Sequence, residues 1–129
     1  MNRWYLDTSA ALKLVVQEPE SDALAHSIRD EDVDLVACCL LETEVRRAVY
    51  RAAPLTQGIA THLLEGVALY EMPSSLFREA GLLPGENLRS LDALHLAAAI
   101  RIGVDRVVTY DVRMTDAATS LGLPVFAPS

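Results

Sequence analysis

Five short apolar segments recur along this chain: Arg3 to Leu6, Leu35 to Cys38, "VALYEM", "RVVTY" and "PVFA". Stretches of helical length separate them. Strands that alternate with helices imply a parallel sheet covered by helices on both faces, because each parallel pair needs a crossover connection. The fold class is therefore α/β with a central parallel sheet of about five strands. At 129 residues the chain is sized for a single domain, 1–129, with one core.

The intervening segments read as helices from their apolar spacing. One runs from Ala10 to Val16 and ends before Pro19, and a second from Ser21 to Asp30. In "LLETEVRRAVYRA" a stripe of Leu41, Val45, Ala48, Val49 and Ala52 faces inward until Pro54 stops the helix. Thr56 is placed to cap a helix reaching Leu64, with Gly66 ending it. "PSSLFREAGLLPGENLRS" gives a short helix and an irregular connection. Leu91 to Ile102 forms an Ala/Leu-rich helix stopped by Gly103, and Met114 to Leu121 a helix with Gly122 at its C-cap.

No apolar run approaches the roughly 20 residues that span a bilayer. The N-terminus has no basic flank leading into an apolar core of the signal-peptide type. A soluble, cytoplasmic protein with no membrane partner is expected. The net charge of −7 argues against a protein that coats nucleic acid by bulk attraction, while leaving room for a local basic patch. Cys38 and Cys39 are adjacent, which suits neither an unstrained disulfide nor a zinc site, so both are expected as ordinary buried or half-buried thiols.

Acidic residues stand where strands end and helices begin. Asp7 follows the first strand, Glu42 and Glu44 open the helix after the second, and Asp92 lies in the first turn of the Ala/Leu helix. Asp111 follows the fourth strand and Asp116 opens the next helix. On a parallel sheet all of these fall at the carboxyl edge, where such folds bind ligands. Converging carboxylates raise one another's pKa unless a cation compensates, and oxygen ligands with little nitrogen or sulfur select Mg²⁺ or Mn²⁺ over zinc. Helix capping alone also favours Asp at these positions. That account weakens for Asp7, Asp92 and Asp111 together, since each borders an apolar segment. Of the two glutamates, Glu42 has Arg46 four residues on as a surface partner. Glu44 has none at that spacing and is the better ligand candidate.

The fragments "YLDTSAALKL", "LLETEVRRA", "LDALHLAAA" and "VVTYDVRMTDAATSLGLPV" resemble, in order and spacing, the PIN-domain ribonucleases, and among them the VapC toxins of toxin–antitoxin pairs. The resemblance runs from Tyr5 to Val125, with no readable motif between Pro54 and Asn87. It implies a PIN-like three-layer α/β/α domain and a metal-dependent endoribonuclease whose four acids fall on Asp7, Glu44, Asp92 and Asp111. Asp116 sits where relatives carry an auxiliary acid, and Thr8 and Thr109 fall on supporting hydroxyl positions. Mg²⁺, with Mn²⁺ as a substitute, would be the cofactor, as one ion or two, activating water for attack on a phosphodiester. Cleavage of a structured cellular RNA (tRNA, rRNA or mRNA) would leave 5′-phosphate and 3′-hydroxyl ends and inhibit translation. The resemblance further implies a VapB-type antitoxin and a homodimer.

Other residues carry weaker signals. Arg46, Arg47 and Arg51 follow Glu44 on one helix and Arg113 follows Asp111, so they are candidates for RNA phosphates or else ordinary solvated arginines. His95, three residues from Asp92 in an apolar helix, reads as packed or site-orienting rather than as a general base. The apolar "SLFREAGLL" and "LTQGIATHLLEG" are contact surfaces or core. A receiver domain would need paired acids after the first strand and a late Lys, yet Lys13 is the sole Lys. An aspartate-nucleophile phosphatase would need Asp where Ser9 stands. The remaining alternative is a catalytically silent PIN-like module that binds RNA or an antitoxin-like partner.

Overall fold

The computed structural model describes residues 2–129. In chain order the elements are β1 (Arg3–Leu6), α1 (Thr8–Lys13), α2 (Ser21–Glu31), β2 (Asp34–Cys38), α3 (Leu40–Tyr50), α4 (Gln57–Glu65), β3 (Ala68–Tyr70), α5 (Ser74–Gly81), α6 (Ser90–Ile102), β4 (Arg106–Val108), α7 (Val112–Ser120) and β5 (Val125–Phe126). The strands form one parallel sheet in the order β3-β2-β1-β4-β5. In register, Trp4 lies beside Leu35 on one side and Arg106 on the other.

This order sets where a site can form. The chain leaves β1 towards β2 and β3, then crosses back past β1 to reach β4 and β5. Right-handed crossovers place helices from opposite directions of travel on opposite faces. Accordingly α1 and α4 pack against α3, whereas α5 packs against α6. Beside β1 the direction of winding reverses, which opens a crevice outside the carboxyl ends of the strands.

The central strands are buried on both sides, as the continuous apolar runs require. Leu6, Ala37, Cys38 and Val108 are fully buried, and Val36 and Val107 nearly so. Helix α6 is apolar almost all round, with Ala93 and the run His95 to Ala99 buried. Its four alanines let it lie close between the sheet and α5. Trp4 packs edge-on to Phe126 at 5.0 Å, with the Arg106 guanidinium over both rings. Burying a ring of that size contributes about 3 kcal/mol. Gly103 closes α6 with φ of 77°, a left-handed conformation in which a side chain would cost ~1 kcal/mol or more. No helix is long and apolar enough to cross a membrane among the described residues.

Several boundaries differ from the expectation. Helix α1 starts at Thr8 rather than Ala10, because Asp7 caps it, and ends at Lys13, with Leu14 to Val16 already turning. Helix α7 starts at Val112 rather than Met114, since Asp111 caps it. Asp116 therefore lies in the second turn and does not open the helix. Thr56 occupies the N-cap of α4 without a side-chain capping bond. Strand β3 covers three residues of "VALYEM", ending before Pro73, whose missing N–H cannot extend a ladder.

Candidate active site

The crevice beside β1 is lined by carboxylates from four parts of the chain, each held differently. Asp7 comes first, because β1 carries it into the core: it is 4% exposed. Its Oδ1 accepts the Ala10 N–H at 2.9 Å and the Ser9 hydroxyl at 2.7 Å, so one oxygen both caps α1 and closes a local turn. Its Oδ2 accepts a short hydrogen bond from the Thr109 hydroxyl, which reaches across from the end of β4. Burial still dominates and pushes the Asp7 carboxyl above its ordinary value, against the pull of Thr109, Ala10 and Ser9.

Thr109 and Ser9 tie the ends of the two strands together. Thr109 Oγ1 also accepts the Asp111 N–H at 3.1 Å, and Ser9 Oγ accepts the Tyr110 N–H at 2.9 Å. Asp111, exposed at the rim, turns its Oδ1 to the N–H groups of Arg113 at 2.8 Å and Met114 at 3.3 Å. Among the described residues its Oδ2 has no partner. Asp92, in the first turn of α6, is half-buried and has no hydrogen bond on either oxygen among the described residues. Desolvation raises its carboxyl, and the negative charges of Asp111 and then Glu44 push it further. The three acids thus feel one another across the crevice.

Glu44 is held from two sides. Its Oε1 accepts the Thr8 hydroxyl at 2.7 Å and stands 2.6 Å from His95 Nε2. Half-burial raises the Glu44 carboxyl, but the hydrogen bond and charge of His95, with Thr8, outweigh it and hold the group below its ordinary value. His95 is 3% exposed. Burial works against its charged form, yet Cys38 and Glu44 together push it up to about 10. Carrying both protons, the ring donates to Glu44 through Nε2 and to Tyr5 Oη, 2.7 Å from Nδ1. Tyr5 Oη also accepts the Cys38 N–H at 3.1 Å, and burial pushes the Tyr5 phenol far up, so it stays neutral.

The expected residues are therefore distributed unevenly. Asp7, Glu44, Asp92, Asp111, Thr8 and Thr109 lie on the crevice. Asp116 is exposed, a turn further along α7. Glu42 is engaged by Arg46 at 3.1 Å, and Arg46 also reaches Gln57 Oε1 at 3.2 Å. Arg47 lies over the Tyr50 ring, 5.0 Å from its centroid. The thiol expectation needs correction: Cys39 is exposed because it precedes α3 outside the sheet, and Cys38 is buried with Sγ 3.7 Å from His95 Nδ1. Three participants had not been singled out. Ser9 could have been found from its place two residues after a capping Asp. The buried Tyr5 hydroxyl needed a polar partner. Arg89, whose charge reaches Asp92, had no sequence signal.

The donor set is all oxygen apart from His95. Among the described residues, no three His, Cys, Asp or Glu side chains stand close enough to enclose a metal ion by themselves. Glu44 is turned to His95 and Asp111 to its own helix, leaving single oxygens free at the crevice. This suits Mg²⁺, which keeps several waters and takes one or two carboxylates, and does not suit a structural zinc cage.

Comparison with known proteins agrees with this geometry. The PIN domain family model matches residues 4–119. Ribonuclease VapC46 of Mycobacterium tuberculosis (strain ATCC 25618 / H37Rv) is 45% identical over 128 residues, covering 97% of both chains. Ribonuclease VapC35 of Mycobacterium tuberculosis (strain CDC 1551 / Oshkosh) is 37% identical, covering 96% of both. Among solved structures, Rickettsia felis VapBC2 bound to a promoter DNA fragment superposes with a TM-score of 0.74 at 13% identity, over 98% of this chain and 99% of that one. Mycobacterium tuberculosis VapC20, a sarcin–ricin loop cleaving toxin, gives 0.73 at 14% identity, over 88% and 94%. With a family model spanning most of its length and relatives well above 30% identity, the chain belongs to the PIN-domain family, in its VapC group.

Proposed function

We propose that this protein is a VapC-type endoribonuclease, a single PIN domain that acts in the cytoplasm as the toxin of a toxin–antitoxin pair. The observation that carries the reading is Asp92: an acid without a hydrogen-bond partner among the described residues, pushed up by desolvation and then by Asp111 and Glu44 at a sheet edge. A cluster of carboxylates at the point where the winding reverses, only partly offset by His95 and Arg89, is a site prepared for a cation. Asp7, Glu44, Asp92 and Asp111 are the residues that would hold Mg²⁺ or Mn²⁺, with Asp116 auxiliary. A bound Mg²⁺ would supply neutralisation of phosphate charge and acidification of a water nucleophile.

The side chains have separable tasks. Thr109 and Ser9 fix both oxygens of Asp7, so that buried acid has one orientation. His95 and Thr8 both hold a single oxygen of Glu44, Oε1. His95 donates its Nε2 proton to Glu44 and so keeps that carboxylate ionised; it has no free nitrogen with which to take a proton from water. Asp92 and Asp111 keep unbonded oxygens towards the crevice. The arginines beside the acids, Arg46, Arg47 and Arg113, are candidates for RNA phosphates, with Arg113 the freest. The chain's relatives carry ribonuclease names, and a solved neighbour is the VapBC2 assembly on promoter DNA, which supports RNA as substrate and a VapB-type antitoxin as partner. A homodimer is the assembly that goes with this reading.

The test is incubation of the purified, antitoxin-free protein with total cellular RNA in Mg²⁺, Mn²⁺ or EDTA. Discrete fragments are expected with either metal, none in EDTA, and none from a folded Asp92→Asn variant. A folded wild-type protein that cuts no RNA under any condition, yet still arrests growth as Asp7→Asn, would instead identify a silent binding module.

A further inference from the structure

A cavity of about 740 Å³ lies between the connection ahead of α6 and the outer turns of α7. Arg89 and Arg113 line it, with Glu86, Asn87, Asp116 and Ser120. Its place relative to the acids is fixed by the helices. Arg89 is the N-cap residue of α6, whose first turn carries Asp92. Arg113 lies in the first turn of α7, whose N-cap is Asp111. The cavity is thus bordered by the helix starts that carry the two acids with free oxygens, and the Arg89 charge reaches Asp92.

Both arginines are unengaged. Elsewhere in the chain Arg3 holds the Ile102 carbonyl, Arg46 pairs with Glu42, Arg101 with Glu79 and Arg106 with Glu31, while Arg29, Arg47, Arg51 and Arg78 also make no hydrogen bond or ion pair among the described residues. Arg89 and Arg113 differ from these four in lining one cavity together. Among the described residues, neither the Arg89 nor the Arg113 guanidinium makes a hydrogen bond or ion pair, although Glu86 and Asp116 share the cavity. Exposed arginines that decline available carboxylates keep their donors for an incoming anion, and the planar fork matches phosphate. The Asn87 amide, the Ser120 hydroxyl and the acids add donors and acceptors of the kind that read a base edge. The volume is in the range of small-ligand sites, and a concave site takes a splayed-out base, not one stacked in a duplex.

We propose that this cavity is the subsite for an unpaired ribonucleotide flanking the cleaved bond, with Arg89 and Arg113 holding its phosphates. The assignment rests on the ribonuclease reading above and adds to it a place where sequence is read. It also gives a net-acidic protein a local foothold on RNA that bulk charge does not provide.

The experiment is fluorescence anisotropy of a short labelled single-stranded RNA of mixed sequence, in EDTA so that nothing is cut. Wild type is compared with Arg89→Gln, Arg113→Gln and, as a remote exposed control, Arg29→Gln, all checked for folding by circular dichroism. Each cavity variant is expected to weaken binding about five- to tenfold, with the control within about twofold of wild type. The slope of log affinity against log salt should fall by about 0.7 for each phosphate that the variant no longer neutralises, and duplex RNA should compete poorly. The proposal is overturned if wild type does not bind single strands, if both cavity variants bind like wild type, or if they lose only antitoxin binding, which would give the cavity to a protein partner. Cleavage in Mg²⁺ separates the two readings. RNA bound through these arginines but never cut removes the ribonuclease and leaves the subsite; RNA cut equally by all the variants does the reverse.

Discussion

His95 and Glu44, 51 residues apart in sequence, stand 2.6 Å apart through Nε2 and Oε1. The pair joins α6 to α3 behind the crevice and sets the rotamer of a carboxylate that no neighbour on its own helix could hold. Removing the imidazole strands three partners at once: Glu44, the Tyr5 hydroxyl and the Cys38 thiol. His95→Ala is expected to cost about 3 kcal/mol in urea unfolding, the range for breaking a buried pair from one side. His95→Gln, which can still donate to Glu44, should recover part of that. A variant with wild-type stability would show that the pair contributes nothing to the fold.

The same pair gives a pH dependence in metal-free protein. The His95 pKa is raised from 6.5 to about 10 on folding, so its contribution is complete below 6.5 and fades as pH rises through about 10. The Glu44 pKa is lowered from 4.5, so its contribution is complete above 4.5 and fades as pH falls through the folded value. The pair therefore stabilises most between 4.5 and 6.5. The Cys38 thiol, held below 9.0 by His95 against its burial, acts in the opposite direction at higher pH. Asp7 and Asp92 also face the ring. Urea midpoints in EDTA should fall from about pH 6 to about pH 8.5 in wild type, and by much less in His95→Gln. Equal slopes in the two proteins would sink this assignment.

How much of this the sequence carried depends on the range of the interaction. Strand and helix order was legible because apolar spacing and the stops at Pro54 and Gly103 are local. That Asp7, Asp92 and Asp111 gather at one sheet edge was legible because each interrupts or borders an apolar run. Glu44 was preferred over Glu42 because it lacked a partner on its own helix; the structure supplies partners from α1 and α6. What was hidden was long-range: the Thr109 hydroxyl reaches Asp7 across 102 positions, and His95 reaches Glu44 across 51. Boundaries at α1 and α7 shifted because Asp7 and Asp111 act as caps, a role that competed with the reading of them as ligands.

Thr109 holds Asp7 on one side and the Asp111 N–H on the other. Thr109→Val keeps the shape and removes both bonds, leaving a buried carboxylate oxygen without its donor. The expected cost is about 2 kcal/mol in unfolding free energy. Because that hydroxyl opposes the upward push of burial on Asp7, the acidic limb of the pH–rate profile should move to higher pH. Thr109→Ser should restore the limb. If Val and Ser variants share one profile, the hydroxyl does not govern Asp7.

Asp92 makes function and stability oppose each other. Its carboxyl is raised by desolvation and by Asp111 and Glu44, so above its unfolded value the ionised group weakens the fold. Asp92→Asn should therefore stabilise the metal-free protein at neutral pH, by about 0.5 kcal/mol once solvent screening of a half-exposed group is allowed for. Adding Mg²⁺ should raise the melting temperature of wild type by mass action, since a cation binds the folded state alone. It should do little for the Asn variant, whose amide relieves the repulsion but offers the ion no charge. The two proteins are thus expected to exchange rank between EDTA and millimolar Mg²⁺ in thermal unfolding. An Asn variant that is less stable in EDTA and gains as much from Mg²⁺ as wild type would place the cation elsewhere.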